Sequence, residues 1–157
     1  MKLKLSELAS IAEIVAGIGV IVTLIFLIAG IRENTEITRA AAFDRNMESI
    51  NQWRVELAKN PEMTKVWLSQ GQLEELNEVD QFRLIMLQGS LWGIYEKSYY
   101  AQEYGVLGPS EWSRFQTQMC ARMADMGAES WAVMSSNTLT ERFANYAEHL
   151  CAESSER

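Results

Sequence analysis

From residue 14 to residue 31 the chain reads IVAGIGVIVTLIFLIAGI, an uncharged run that is apolar on every face except at Thr23. With about 1.5 Å of rise per residue, a helix over this run is roughly 27 Å long, close to the hydrocarbon thickness of a bilayer. Beyond it the pattern becomes one-sided. No Gly or Pro interrupts residues 32–59, and apolar side chains recur at Ile37, Ala40 or Ala41, Phe43, Met47, Ile50, Trp53 or Arg54, and Leu57. Spacings of three and four are the period of an amphipathic helix, so the pattern predicts one helix running out of the apolar run to about Lys59.

Asn60-Pro61-Glu62 then ends that helix and opens another, with Asn as N-cap and Pro in the first turn. A short helix is expected over 61–70, carrying Val66, Trp67 and Leu68, and a loop with Glu74 and Glu75 over 71–77. Asn77 caps a third helix over 78–104, with Asp80 at its positive end and apolar positions at Phe82, Ile85, Met86, Trp92, Tyr95, Tyr99 and Tyr100. Gly89 and Gly93, four apart on that helix, point to a close neighbouring helix. After a Gly-Pro turn a fourth helix covers 110–126, with Trp112, Phe115, Met119 and Met123 on one side. Residues 127–137 read as short and broken around Trp131. Thr138-x-x-Glu141 reads as a capping box opening a last helix over 139–152, with Phe143, Tyr146, Ala147 and Leu150 inward. No strand pattern or repeat is visible. The fold class expected is all-α: an N-terminal transmembrane helix continuing into a long amphipathic helix, packed in a small helical bundle. Its parts are a head over 1–9, the span over 10–31 and an acidic helical domain over 32–157.

The apolar run admits two other readings. A cleavable signal peptide could use Ile28-Ala29-Gly30 as a small-x-small site, but the run is long and helical chemistry continues unbroken through Arg32, Glu33, Asn34, Thr35 and Glu36. A core helix is rarely apolar all round. A single-pass anchor is the favoured reading.

Charge narrows the partners. The 157 residues hold 14 Lys+Arg against 21 Asp+Glu, a formal net charge of −7, and only Glu7 and Glu13 of those acids precede residue 32. Nucleic acid is therefore not an expected partner, since binding it begins with neutralising phosphates. Anionic headgroups would repel the domain too. The chain's 2 cysteines, Cys120 and Cys151, lie on different expected helices; a disulfide is open, and two buried thiols are the favoured reading. With a single His149 and no Glu-x-x-His, no metal site and no cofactor are expected.

Candidate chemistry is sparse. Trp92, Tyr95, Tyr99, Tyr100 and Tyr104 crowd one helix beside Glu96 and Lys97. They can line a ligand pocket with Glu96 as its polar handle, or they can pack a small bundle with their polar tips at its rim. The packing role is favoured. No triad, phosphate loop or dinucleotide motif is present, and the chain is not expected to be an enzyme. Within the apolar segment, Ala9, Ala12, Ala16, Gly19, Thr23 and Gly30 form a seam of small side chains, of the kind that lets membrane helices approach. Ala12, Ala16, Gly19 and Thr23 are its expected oligomer contacts. Glu13, beside that seam, would lie in an interface, at a pore mouth, or among the headgroups.

Ile31-Arg32-Glu33-Asn34-Thr35, Asn60-Pro61-Glu62 followed by Trp67, the stretch 100–108, and Trp112 carry a resemblance to a broad family of uncharacterised bacterial single-pass membrane proteins. That family has an N-terminal span, a juxtamembrane Ile-Arg-x-Asn-Thr and a Trp-rich helical domain. The resemblance implies the architecture and no activity. Basic residues flank the span almost evenly, Lys2 and Lys4 before it and Arg32, Arg39 and Arg45 after it. Members of the resembling family keep the juxtamembrane arginine and usually lack the N-terminal lysines, which implies a cytoplasmic helical domain on a bacterial inner membrane. The expected function is a membrane-anchored interaction or assembly module that self-associates, with the bilayer, its own copies and another membrane protein as partners. The alternatives are a homo-oligomeric pore with Glu13 at its mouth, and a membrane-tethered sensor of a small ligand.

Overall fold

The computed structural model describes residues 5–155, with side chains from residue 12 to residue 153. Lys2 and Lys4, and the side chain of Ala9, lie outside the described residues. Among these the chain is all-α. It consists of α1 (Leu5–Lys59), α2 (Pro61–Leu68), a 3-10 turn (Leu73–Glu75), α3 (Glu78–Glu103), α4 (Pro109–Met126), α5 (Ala128–Thr138) and α6 (Glu141–Ser155). It divides into two units, Met1–Thr38 and Arg39–Arg157.

Among the described residues the first unit is helix alone, the N-terminal part of α1. It contains the one helix, among the described residues, long and apolar enough to cross a membrane, and the most apolar window of that helix is 0% buried. Phe26 is 74% exposed. Thr23 donates its hydroxyl to the Gly19 carbonyl (2.9 Å), so its polarity is turned back into the helix. That bond suits a hydrocarbon surrounding, where every polar group needs an internal partner.

The second unit is a bundle centred on α3, which packs against α2, α4 and α5, while α4 also meets α5 and α6. The remainder of α1 joins it through long side chains. Ile50 is fully buried, and Phe43, Met47, Trp53 and Leu57 pack partly buried against the core. Three polar contacts link this stretch to α3 and the turn that follows. Asn46, itself buried, donates Nδ2–H to Ser98 Oγ (3.0 Å). Trp53 donates Nε1–H to the Leu87 carbonyl (3.3 Å), and Arg39 donates Nε–H to the Gly105 carbonyl (3.1 Å). Ile37, expected on the packed face, is exposed instead.

Helix ends follow local chemistry. A residue before proline avoids the helical region, and Asn60 sits at φ −113°, ψ 99°, stopping α1. Asn60 Oδ1 accepts from the Met63 N–H (3.1 Å), and the Thr64 hydroxyl donates back to the Leu57 carbonyl (2.6 Å), satisfying groups at both helix ends. Gly127 takes φ +79°, a conformation glycine tolerates and side chains resist, and so lets α5 follow α4 with a single residue between them.

Residues 127–137 are therefore not broken. All but Gly127 belong to the continuous 11-residue helix Ala128–Thr138. Its weak helix formers turn their polar groups onto the helix itself, Ser136 and Asn137 donating to the Val133 carbonyl and Thr138 to that of Met134. The capping box falls as well. Thr138 is the last residue of α5, and the residue that caps α6 is Thr140, whose Oγ1 accepts from the Phe143 N–H (3.4 Å). The face of α3 is also rotated from the expected one in its first half. Leu84, Gln88 and Leu91 are buried, whereas Phe82 and Met86 are exposed beside Val79. In α2, Val66 and Trp67 are buried but Leu68 points outward.

The two glycines of α3 part company. A Cβ on Gly89 would stand 2.7 Å from Thr138 Cγ2, while one on Gly93 would meet nothing within 4 Å. Gly89 thus provides the expected close approach, to α5, and Gly93 does not. Gly93→Ala should stabilise the domain by about 0.5–1 kcal/mol through helix propensity. Gly89→Ala should destabilise it, because Thr138 is β-branched and tied to Met134. Urea unfolding of both variants checks the pair; equal gains would show that α3 and α5 are farther apart.

Candidate functional site

The aromatic residues of α3 are brought together, but around themselves. Trp92 is 0% exposed, and Tyr95 and Tyr99 are buried. Trp92 meets Trp131 edge-on at 4.6 Å between ring centroids, Tyr95 at 5.6 Å and Phe143 at 6.4 Å. Tyr99 meets Tyr146 at 4.6 Å and Phe143 at 5.5 Å. The Arg142 guanidinium lies over the rings of Tyr99 and Tyr100, at 5.7 and 5.9 Å, and pairs with Glu103. Tyr104 is exposed at the end of the helix.

Glu96 has a definite structural task. Its Oε1 accepts from the Thr140 backbone N–H (3.0 Å) and from the Thr140 hydroxyl, and the Tyr100 hydroxyl contacts the same Thr140 Oγ1 (2.9 Å). In a local capping box, the acid that satisfies the N-cap N–H comes from the third residue of the same helix. Here that position is Phe143, and the acid is supplied by α3 from 44 residues away. Glu96 thus fixes the start of α6 against α3.

Tyr95 is the titratable group that this core perturbs most plainly. Burial raises its phenol above the ordinary value of 10.0, with Arg122 and Arg54 pulling the other way. The neutral form is the one the fold favours. Its contribution to stability is therefore complete below pH about 10 and disappears as pH rises through the raised value. Tyr95→Phe should make the alkaline decline in stability shallower above pH about 10. Unfolding midpoints of the two proteins from pH 8 to 11.5 check this, and parallel curves would contradict it.

An opening in the bundle lies elsewhere, between α4, α5 and α6. It is a cavity of about 430 Å³ whose walls include Cys120, Met123, Trp131, Glu148, Cys151 and Ala152. Trp131 donates Nε1–H to Glu148 Oε1 (2.7 Å), placing a carboxylate at the edge of a mostly apolar wall. Nearby at the start of α5, Glu129 is held above the usual carboxylate range by desolvation and by repulsion from Glu74. Cys120 of α4 and Cys151 of α6 are joined in a disulfide, with Cα atoms 5.0 Å apart. The expectation of two separate thiols is corrected. The reason is packing: α4 and α6 pair along their apolar faces, which brings the two positions into bonding range. A second cavity, about 520 Å³, lies at the α1–α2 turn against Trp53, Leu57, Pro61, Met63 and Leu87.

Among the described residues no seam contact is formed within the chain. Gly17, Gly19 and Gly30 have no neighbour within 4 Å of a built Cβ, and Ala12, Glu13, Ala16 and Thr23 are exposed. Sequence reasoning marked Trp131 as an anchor and left the disulfide open; the position of Glu148 beside that ring carried no signal in the sequence.

Comparison of the chain with protein-family models, with curated proteins and with solved structures yields no match.

Proposed function

We propose that this protein is a single-pass membrane protein whose helical bundle serves as an interaction or assembly module, and that its copies associate through the span. The observation that carries this reading is the apolar stretch of α1, whose most apolar window is 0% buried. So much unpartnered apolar surface is stable only in lipid or against another apolar helix. Ala12, Ala16, Gly19 and Thr23 would form the contact, since small side chains let backbones approach where dispersion drives association. The domain adds a second uncovered stripe, Val79, Phe82 and Met86 on one face of α3, which a second copy tethered in the same membrane could cover. The bundle carries no assembled catalytic constellation in this reading, and its aromatic residues hold the fold.

Mass measurement in native lipid discs tests it. The wild type should be a homo-oligomer larger than a dimer, Gly19→Leu should lower the mass to that of one chain, and Glu13→Gln should leave the assembly intact. A monomeric wild type would overturn self-association. A closed ring whose ion conductance falls with Glu13→Gln would favour the pore instead. A sensor is the second reading, supported by the cavity of about 430 Å³ beside Trp131 and Glu148.

A further inference from the structure

We infer from the Cys120–Cys151 disulfide that the helical domain faces the oxidising, non-cytoplasmic side of its membrane. This inference builds on the proposed anchor and reverses the orientation expected from the juxtamembrane arginine. The chain has 2 cysteines, and both are in this bond. They come from different helices, α4 and α6, separated by 31 residues. The spacing is unlike the closely spaced pairs of cytosolic redox proteins, and a pair that ties two core helices together reads as structural.

Access decides the compartment. Cys151 is buried and Cys120 half-buried, yet both line the open cavity. A small thiol can enter by that route and attack a sulfur. In a glutathione-rich cytoplasm such a bond would be continually reduced, whereas outside it the bond persists. When it forms, the two thiols lose two protons and two electrons as the S–S bond is made. The two electrons and, in net, the two protons pass through a mixed disulfide to the disulfide of an exported thiol oxidase, whose S–S bond breaks as it becomes a dithiol. Charge does not oppose this orientation. Lys2 and Lys4 nearly balance Arg32, Arg39 and Arg45 in the flanks that direct insertion. An N-in, C-out chain then keeps the acidic domain away from the anionic cytoplasmic leaflet.

The test uses the full chain with a C-terminal epitope, expressed in bacteria. Cells are quenched in acid, denatured and treated with a maleimide-polyethylene glycol, with and without prior reduction. Spheroplasts are exposed in parallel to external protease. The expected result is no adduct before reduction, two adducts after it, and loss of the epitope. Two adducts without reduction, or an epitope protected until the membrane is lysed, would overturn the inference. Carbonate extraction of the same samples separates this from the anchor. Oxidised, protease-sensitive chain that is soluble would keep the exported location and remove the anchor. Membrane-bound chain with two free thiols would keep the anchor and remove the location.

Discussion

Replacing Cys120 and Cys151 together by Ser is expected to lower the stability of the helical domain by about 3–4 kcal/mol. The pair is separated by 31 residues, and closing a loop of that size removes this much unfolded-chain entropy in the loop-closure account. Adding a reductant to the wild type should give the same loss, and adding it to the double variant should change nothing. Chemical unfolding in detergent, followed by tryptophan fluorescence, reads all three. Trp131 lines the same cavity as both cysteines and is a natural reporter. A loss below about 1 kcal/mol, or a wild type indifferent to reductant, would show that the two sulfurs do not tie α4 to α6.

Trp92→Ala is expected to cost about 3–5 kcal/mol, the range for removing a fully buried large aromatic side chain. The ring is 0% exposed and meets aromatic partners from α3, α5 and α6, so its loss opens a hole where three helices converge. Trp92→Phe should cost less, because an aromatic body still reaches Trp131. Urea unfolding of both variants orders them. The result also separates packing from ligand binding. A ring in a pocket wall could be truncated with little effect on stability, so a loss below about 1 kcal/mol for Trp92→Ala would return the α3 aromatics to the ligand role.

The elements of the fold were legible wherever one local rule acted without a rival. Asn60-Pro61 stops α1 and caps α2, and Asn77 caps α3 through the Asp80 N–H. The inward faces of α4 and α6, including Phe115, Met119, Phe143 and Ala147, follow from their spacing. Reading failed where a distant partner chose between local options. Thr138 and Thr140 both suit an N-cap, and Glu96 on α3 selects Thr140. Ser136 and Asn137 look like a loop until they bond their own helix, as Thr138 does too, with Trp131 and Met134 buried against the core. Asn46 and Gln88 are polar by composition yet buried, the first because Ser98 accepts its hydrogen bond. Gln88 finds no partner for either amide atom among the described residues, and nothing in the sequence marked it.

The candidate site divides in the same way. The aromatic set on α3 was visible as a cluster, and its packing role follows from the rings that surround it. Glu96 stood between two readings, a pocket's polar handle and a partner within the packing, and the structure gives it the start of α6 to hold. The cavity at α4, α5 and α6 depends on a disulfide and on a Trp131–Glu148 contact across two helices. No spacing within either helix encodes that contact.

Alkaline carbonate extraction of membranes from cells expressing the full chain tests anchorage most directly. The chain should stay in the membrane pellet, begin at Met1 by mass spectrometry, and enter solution only with detergent. Soluble protein beginning at Met1 would contradict the membrane anchor, and soluble protein beginning near Glu33 would identify the apolar run as a cleaved signal.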